Sequence, residues 1–173
     1  MVLNEVYFWT STIVSWKNLL KQDKYKEIIL GSLRTLVERN CIAIYGFVLM
    51  PNHVHFIWEM LSMNKKEMPD SSFSKFTAHE FKKDLKINHP LVLSMFKSEK
   101  RDREYQFWQR GALAIPMASK GMLEQKLQYV HLNPLGEKWN LAQRPEDYKW
   151  SSASFYESGD DTFGLLTHYA DRF

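Results

Sequence analysis

The stretch FVLMPNHVHFIWEM, residues 47–60, decides how this chain is read. An apolar run, CIAIYGFVLM (41–50), stops at Pro51 and Asn52, and a second run, HVHFIWEM (53–60), starts at once. Proline and asparagine favour turns, and so short a connection joins antiparallel neighbours, so the two runs predict paired strands. The first is apolar on both faces, as a buried central strand should be. In the second, side chains alternate: His53, His55 and Ile57 share one face, Val54, Phe56 and Trp58 the other. Two imidazoles two residues apart on one face can grip one metal ion; two strand histidines bonded to their neighbours would show the same pattern. A metal site needs at least one further ligand.

Outward from this pair, VYFWTSTIV (6–14) is rich in β-branched and aromatic residues and predicts a first strand. Tyr25, Ile28, Ile29, Leu33, Leu36 and Val37 recur at helical spacing and predict an amphipathic helix over 24–39, stopped by Asn40. After a polar loop (61–70), Ser72 is expected to cap a second helix running to about Ile87. Phe73, Phe76, Phe81 and Leu85 would lie on its inner side and Lys75, Lys82 and Lys86 on its outer side. The segment 98–106 is charged and irregular, and FWQRGALAIPM (107–117) predicts a fourth strand. A last helix spans about 122–132, closed by Pro134. The order β-α-β-β-α-β plus a helix is the ferredoxin-like or RRM-like pattern, an α+β sheet expected to carry helices on one face. A chain of 173 residues fits one domain, with a core at about 1–134 and an aromatic-rich tail at 135–173 packed on it.

The composition sets limits. The single cysteine, Cys41, excludes a disulfide framework and a cysteine-based zinc site, and its apolar setting suggests an inert core thiol. A net charge of +3 and a pI near 8.9 lean towards a polyanionic partner without proving one. The N-terminal sequence has the features of neither a signal peptide nor a membrane span, so a reduced, cytoplasmic setting with no membrane partner is expected. No P-loop motif is present.

In LEQKLQYVHLNPL (123–135), Leu123, Leu127 and Val130 form the apolar stripe of the last helix. Tyr129 lies beside it, with Lys126 and Asn133 on its own flank, so a phenol and a carboxamide sit one turn apart. A boundary tyrosine would satisfy the same spacing, and Asn133, next to Pro134, could instead be a C-terminal turn residue. His131 points elsewhere and is expected at the surface or in a cap.

MPNHVHFIW (50–58) followed by YVHLNP (129–134) resembles the HUH single-tyrosine transposases, the insertion-sequence-200-like family that includes the REP-associated tyrosine transposases. The resemblance runs from the first strand through WSSASFY (150–156). It implies that His53 and His55 hold a divalent metal, Mg²⁺ or Mn²⁺, with Asn133 as third ligand, and that Tyr129 is the nucleophile. The implied activity is cleavage and transfer of single-stranded DNA, often an imperfect hairpin, through a 5′-phosphotyrosine. Asparagine at the third position is closer to the REP-associated branch. Monomers and homodimers are both compatible with it. DNA contacts are expected from Lys75, Lys82, Lys86, Lys97, Lys100, Arg101, Arg103, Arg110 and Lys126. Lys126 could assist the phenol, and Trp108 or Tyr105 could stack on a base. Two other readings remain: a non-catalytic nucleic-acid-binding protein on an RRM-like sheet, and a hydrolase in which Glu59 joins the histidines.

Overall fold

Four strands and five α-helices follow one another in this computed structural model, which describes residues 1–173. They are β1 (Val6–Thr12), α1 (Asp23–Glu38), β2 (Ile42–Leu49), β3 (His53–Met60), α2 (Pro69–Asn88), α3 (Pro90–Ser94), β4 (Leu113–Pro116), α4 (Lys120–Leu132) and α5 (Ala153–Ser158). The strands form one antiparallel sheet in the order β2-β3-β1-β4, so the expected α+β fold is present. β3 lies at its centre, with Thr10 opposite His55 and Thr12 opposite His53 on β1. No helix is long and apolar enough to cross a membrane.

The alternation read from the sequence sorts the two faces. Tyr7, Trp9, Val54, Phe56 and Trp58 pack on α1 and α2 through Tyr25, Ile29, Leu33, Phe73 and Phe81. Val6, Phe8, Val48 and Ile57 meet Leu123, Leu127 and Val130 of α4. Helices therefore cover both faces rather than the single face expected, because the apolar stripe of α4 has no other surface to bury against. Gly46 makes this seat close. β2 bulges between Ile44 and Gly46, and a Cβ on Gly46 would stand 2.5 Å from Leu127 Cδ1.

Three further expectations are corrected. Ser72 lies inside α2, which begins at Pro69, a favoured first helical residue. Phe76 faces solvent, and Thr77 takes the inner position between Phe73 and Phe81. Thr77 can be buried because Oγ1 donates to Phe73 O at 2.8 Å and accepts from Trp108 Nε1 at 2.9 Å. The fourth strand is only Leu113–Pro116: Gly111, at φ 75°, precedes it, and Phe107 and Trp108 turn into the core. Trp108 is therefore a core residue, not a base-stacking one.

The segment after α4 runs along the outer edge of β2. Leu49 N donates to Trp150 O (2.8 Å), Ser152 N to Phe47 O (3.0 Å) and Thr167 N to Ile44 O (2.9 Å). Near the end of the chain, Arg172 Nε reaches Glu59 Oε2 at 3.0 Å, and Tyr45 Oη donates to the same oxygen at 2.7 Å. Glu59 is buried, so Arg172→Ala strands a carboxylate. The expected loss is ~1–2 kcal/mol in urea unfolding, less than for a fully buried pair because Arg172 is partly in water. An unchanged midpoint would mean that Tyr45 alone satisfies the carboxylate.

Candidate active site

The strand alternation that buries Val54 and Phe56 turns His53 and His55 towards α4, with ring centroids 4.8 Å apart. Ser119 caps the start of α4, its side chain accepting from Met122 N, and the helical conformation continues past Leu132 through Asn133 (φ −55°, ψ −42°). The carboxamide of Asn133 therefore points inward rather than fraying. Its Nδ2 lies 3.4 Å from His55 Nε2, and its Oδ1 is buried with no hydrogen-bond partner.

The hydrogen bonds behind the histidines orient their lone pairs. Asn52 Nδ2 donates to Trp16 O at 3.1 Å, which leaves Asn52 Oδ1 as acceptor for His53 Nδ1–H at 2.8 Å. The network thereby assigns the proton to Nδ1 and the lone pair of His53 to Nε2. His55 Nδ1 is 2.7 Å from Thr10 Oγ1, and a proton there leaves Nε2 free to face Asn133. Outer partners of this kind typically carry ~10–100-fold in metal affinity, so if the two imidazoles hold an ion such as Mn²⁺, Asn52→Leu should weaken its binding by that factor in calorimetry. Unchanged affinity would show that His53 needs no such orientation.

Burial lowers the pKa of His53 from 6.5 to about 4, with the nearby Asn133 carboxamide opposing the shift and Lys138 adding to it. Burial likewise lowers His55 to about 3, helped by His53 and Lys126. Both imidazoles are therefore neutral and ligand-competent at pH 7. His131, expected at the surface or in a cap, is instead half-buried against the tail: Nε2 is 2.8 Å from Ser152 Oγ, and burial lowers its pKa to about 4. All three folded values lie below the unfolded value of 6.5, so the unfolded chain takes up protons first as pH falls. Stability should be full above pH ~6.5 and fall as pH drops through the folded values, towards pH ~3. A flat stability profile over that window would contradict the burial argument.

Tyr129 stands at the mouth of this pocket, 48% exposed, its ring centroid 5.3 Å from that of His55 and 5.9 Å from that of Phe8. Lys126 Nζ lies over the Phe8 and Tyr129 rings at 4.9 and 5.6 Å. Together with Thr12, Trp16, Leu113, Lys138 and Trp139, these residues line an open cleft of about 500 Å³. Two histidines, an amide, a phenol and a lysine thus converge from β3 and α4. Glu59 does not join them, being held by Tyr45 and Arg172.

Of the basic residues singled out, only Lys126 lines the cleft. Lys75, Arg103 and Arg110 line a separate groove with Trp9 and Ser11, on the opposite face of the sheet. Lys75 pairs with Glu67, Lys82 with Glu104 (2.9 Å), and Arg103 and Arg110 with Asp102 (2.9 and 2.6 Å). Lys86, Lys97, Lys100 and Arg101 are exposed. Lys82 also lies over the half-buried Tyr105 ring at 4.9 Å. Sequence reasoning missed Asn52, Trp16, Lys138 and Trp139, which lie in turns where periodicity gives no direction.

No protein-family model matches the chain, and no curated protein matches it. A solved structure described as a REP-associated tyrosine transposase bound to a REP hairpin is similar to it, with a TM-score of 0.63. The match covers 96% of this chain and 84% of that one, at 15% sequence identity. At that identity the likeness is one of fold: this chain has the fold of that transposase.

Proposed function

We propose that the protein cleaves and rejoins single-stranded DNA through a 5′-phosphotyrosine on Tyr129, acting on hairpin DNA as in transposition. The observation that carries this reading is the buried, unpartnered Oδ1 of Asn133 beside two neutral imidazoles, under an exposed phenol. An orphaned buried acceptor is costly unless something binds it. His53 Nε2, His55 Nε2 and Asn133 Oδ1 are a donor set that fits a divalent cation. Two imidazoles and an amide suit Mn²⁺ better than Mg²⁺, and either is proposed. When bound, the ion would polarise the scissile phosphate and offset charge on the departing oxygen.

The chain's own residues supply the rest. Tyr129 gives up its phenolic proton as Oη bonds to phosphorus, the P–O3′ bond breaks, and the departing 3′ oxygen takes up one proton to leave as a hydroxyl, so the exchange is proton-neutral. The ester is exchanged rather than hydrolysed, so a second 3′-hydroxyl can reverse the step without a nucleotide cofactor. Lys126 Nζ, 5.6 Å over the Tyr129 ring, stands where it offsets the charge of the incoming phosphate. Tyr129 and His55 approach within one chain, which supports a site complete in the monomer. The likeness to a hairpin-bound transposase supports a DNA hairpin as substrate.

The test is incubation with Mn²⁺ and labelled hairpin oligonucleotides from the DNA flanking the gene, resolved in SDS. A covalent protein–DNA band is expected. Cleavage without a covalent band would indicate an activated water. Binding without cleavage across several hairpins would favour the non-catalytic nucleic-acid-binding protein.

A further inference from the structure

One side chain at the cleft has no role in the chemistry above. Trp16 is 57% exposed, the most exposed of the large aromatic residues. It lines the histidine cleft, with its ring centroid 6.3 Å from that of His53. The backbone that holds it there is strained: Ser15 and Trp16 are consecutive non-glycine residues at φ 55° and 56°. Such strain persists only where the surroundings enforce it, and it clusters at functional sites. Here Trp16 N donates to Ile13 O (2.9 Å), and Trp16 O accepts from Asn52, the residue that orients His53. The loop is thus tied to the ligand set while its indole is left in water. Trp139, half-buried, forms another wall 5.9 Å from His53, and Lys138 lies over it at 5.2 Å. A free aromatic face next to lysines is what a single-stranded binder offers an unpaired base and its phosphate.

We propose that Trp16 is a stacking platform for one unpaired nucleobase next to the scissile phosphate, a subsite that selects single-stranded over duplex DNA at the cleft. The proposal rests on the single-strand DNA reading and adds a positioning residue to it. Trp16 touches neither Tyr129 nor a proposed ligand through a hydrogen-bonding side-chain atom, so its work is to place the strand.

The chain has six tryptophans, and Trp9, Trp58, Trp108 and Trp150 are buried. Quenching by DNA therefore reports on Trp16 and Trp139. A hairpin oligonucleotide with a flanking single strand should quench the wild-type protein. Trp16→Ala should weaken binding about tenfold or more and remove most of the quenching, with the salt dependence unchanged because the phosphate contacts remain. Trp16→Phe should restore most of the affinity. A single abasic residue moved along the flanking strand tests the stack without altering the protein. It should weaken wild-type binding at one position, and that dependence should vanish in Trp16→Ala. Wild-type binding with no abasic position dependence, or Trp16→Ala bound and quenched like wild type, overturns the platform and leaves the DNA reading standing. No binding of hairpin or single strand by the wild type at low salt would overturn the DNA reading and the platform with it.

Discussion

Tyr129→Phe is expected to abolish the covalent adduct and to reduce strand cleavage by about a thousandfold or more, while leaving DNA affinity within about twofold. The substitution removes one oxygen. The ring keeps its edge contacts with Phe8 and His55, and Lys126 keeps its place over both aromatic faces. Because the side chain is half in water, nothing in the core is disturbed. Binding and cleavage are therefore separable, and a filter-binding isotherm beside an SDS gel reads them independently. Cleavage that survives would move the nucleophile from the phenol to water.

His55→Ala should remove tight Mn²⁺ binding, exceeding the ~10–100-fold loss typical of an outer partner. The measurement needs no DNA. A ligand that binds only the folded state raises the unfolding temperature, by ~2.7 kcal/mol of added stability at a hundred times its dissociation constant. Wild type should show this Mn²⁺-dependent shift and His55→Ala should not. His55 is 4% exposed and neutral, so its removal leaves no stranded charge and the metal-free variant should still unfold cooperatively. Equal shifts in both proteins would place the ion elsewhere.

Strands β2 and β3 were legible because alternation, a Pro-Asn turn and uninterrupted apolar runs agree on one answer, and α1 because its apolar positions keep a strict period. Phe76 was misassigned because an apolar side chain outranks a threonine in any pattern, whereas Thr77 is made apolar in effect by Phe73 O and Trp108. β4 was read too long because Phe107 and Trp108 look like strand residues, and only the backbone turn near Gly111 separates them from it. Within the cleft, His53, His55 and Tyr129 lie on periodic elements, so their directions could be derived; Asn133, just past the end of α4 and next to Pro134, has two readings in the sequence, and its helical φ/ψ decides between them. Asn52, Trp16 and Trp139 could not be found that way. The basic residues illustrate another limit: charge in a sequence does not say which face it will occupy or which carboxylate will meet it. Arg103 and Arg110 both turn to Asp102, across the sheet from the histidines.

The two margins of the sheet are treated differently. β4 is four residues long and lies open, whereas the far longer margin of β2 is covered by backbone from the final segment through Trp150, Ser152 and Thr167. A chain ending soon after Asn133 would keep every proposed ligand and the phenol, yet it would present the bare amides and carbonyls of β2 as a template for a second copy. The tail is in that sense a built-in guard against self-templating, and a nonsense mutation beyond the last proposed ligand would be expected to yield insoluble protein rather than a minimal enzyme.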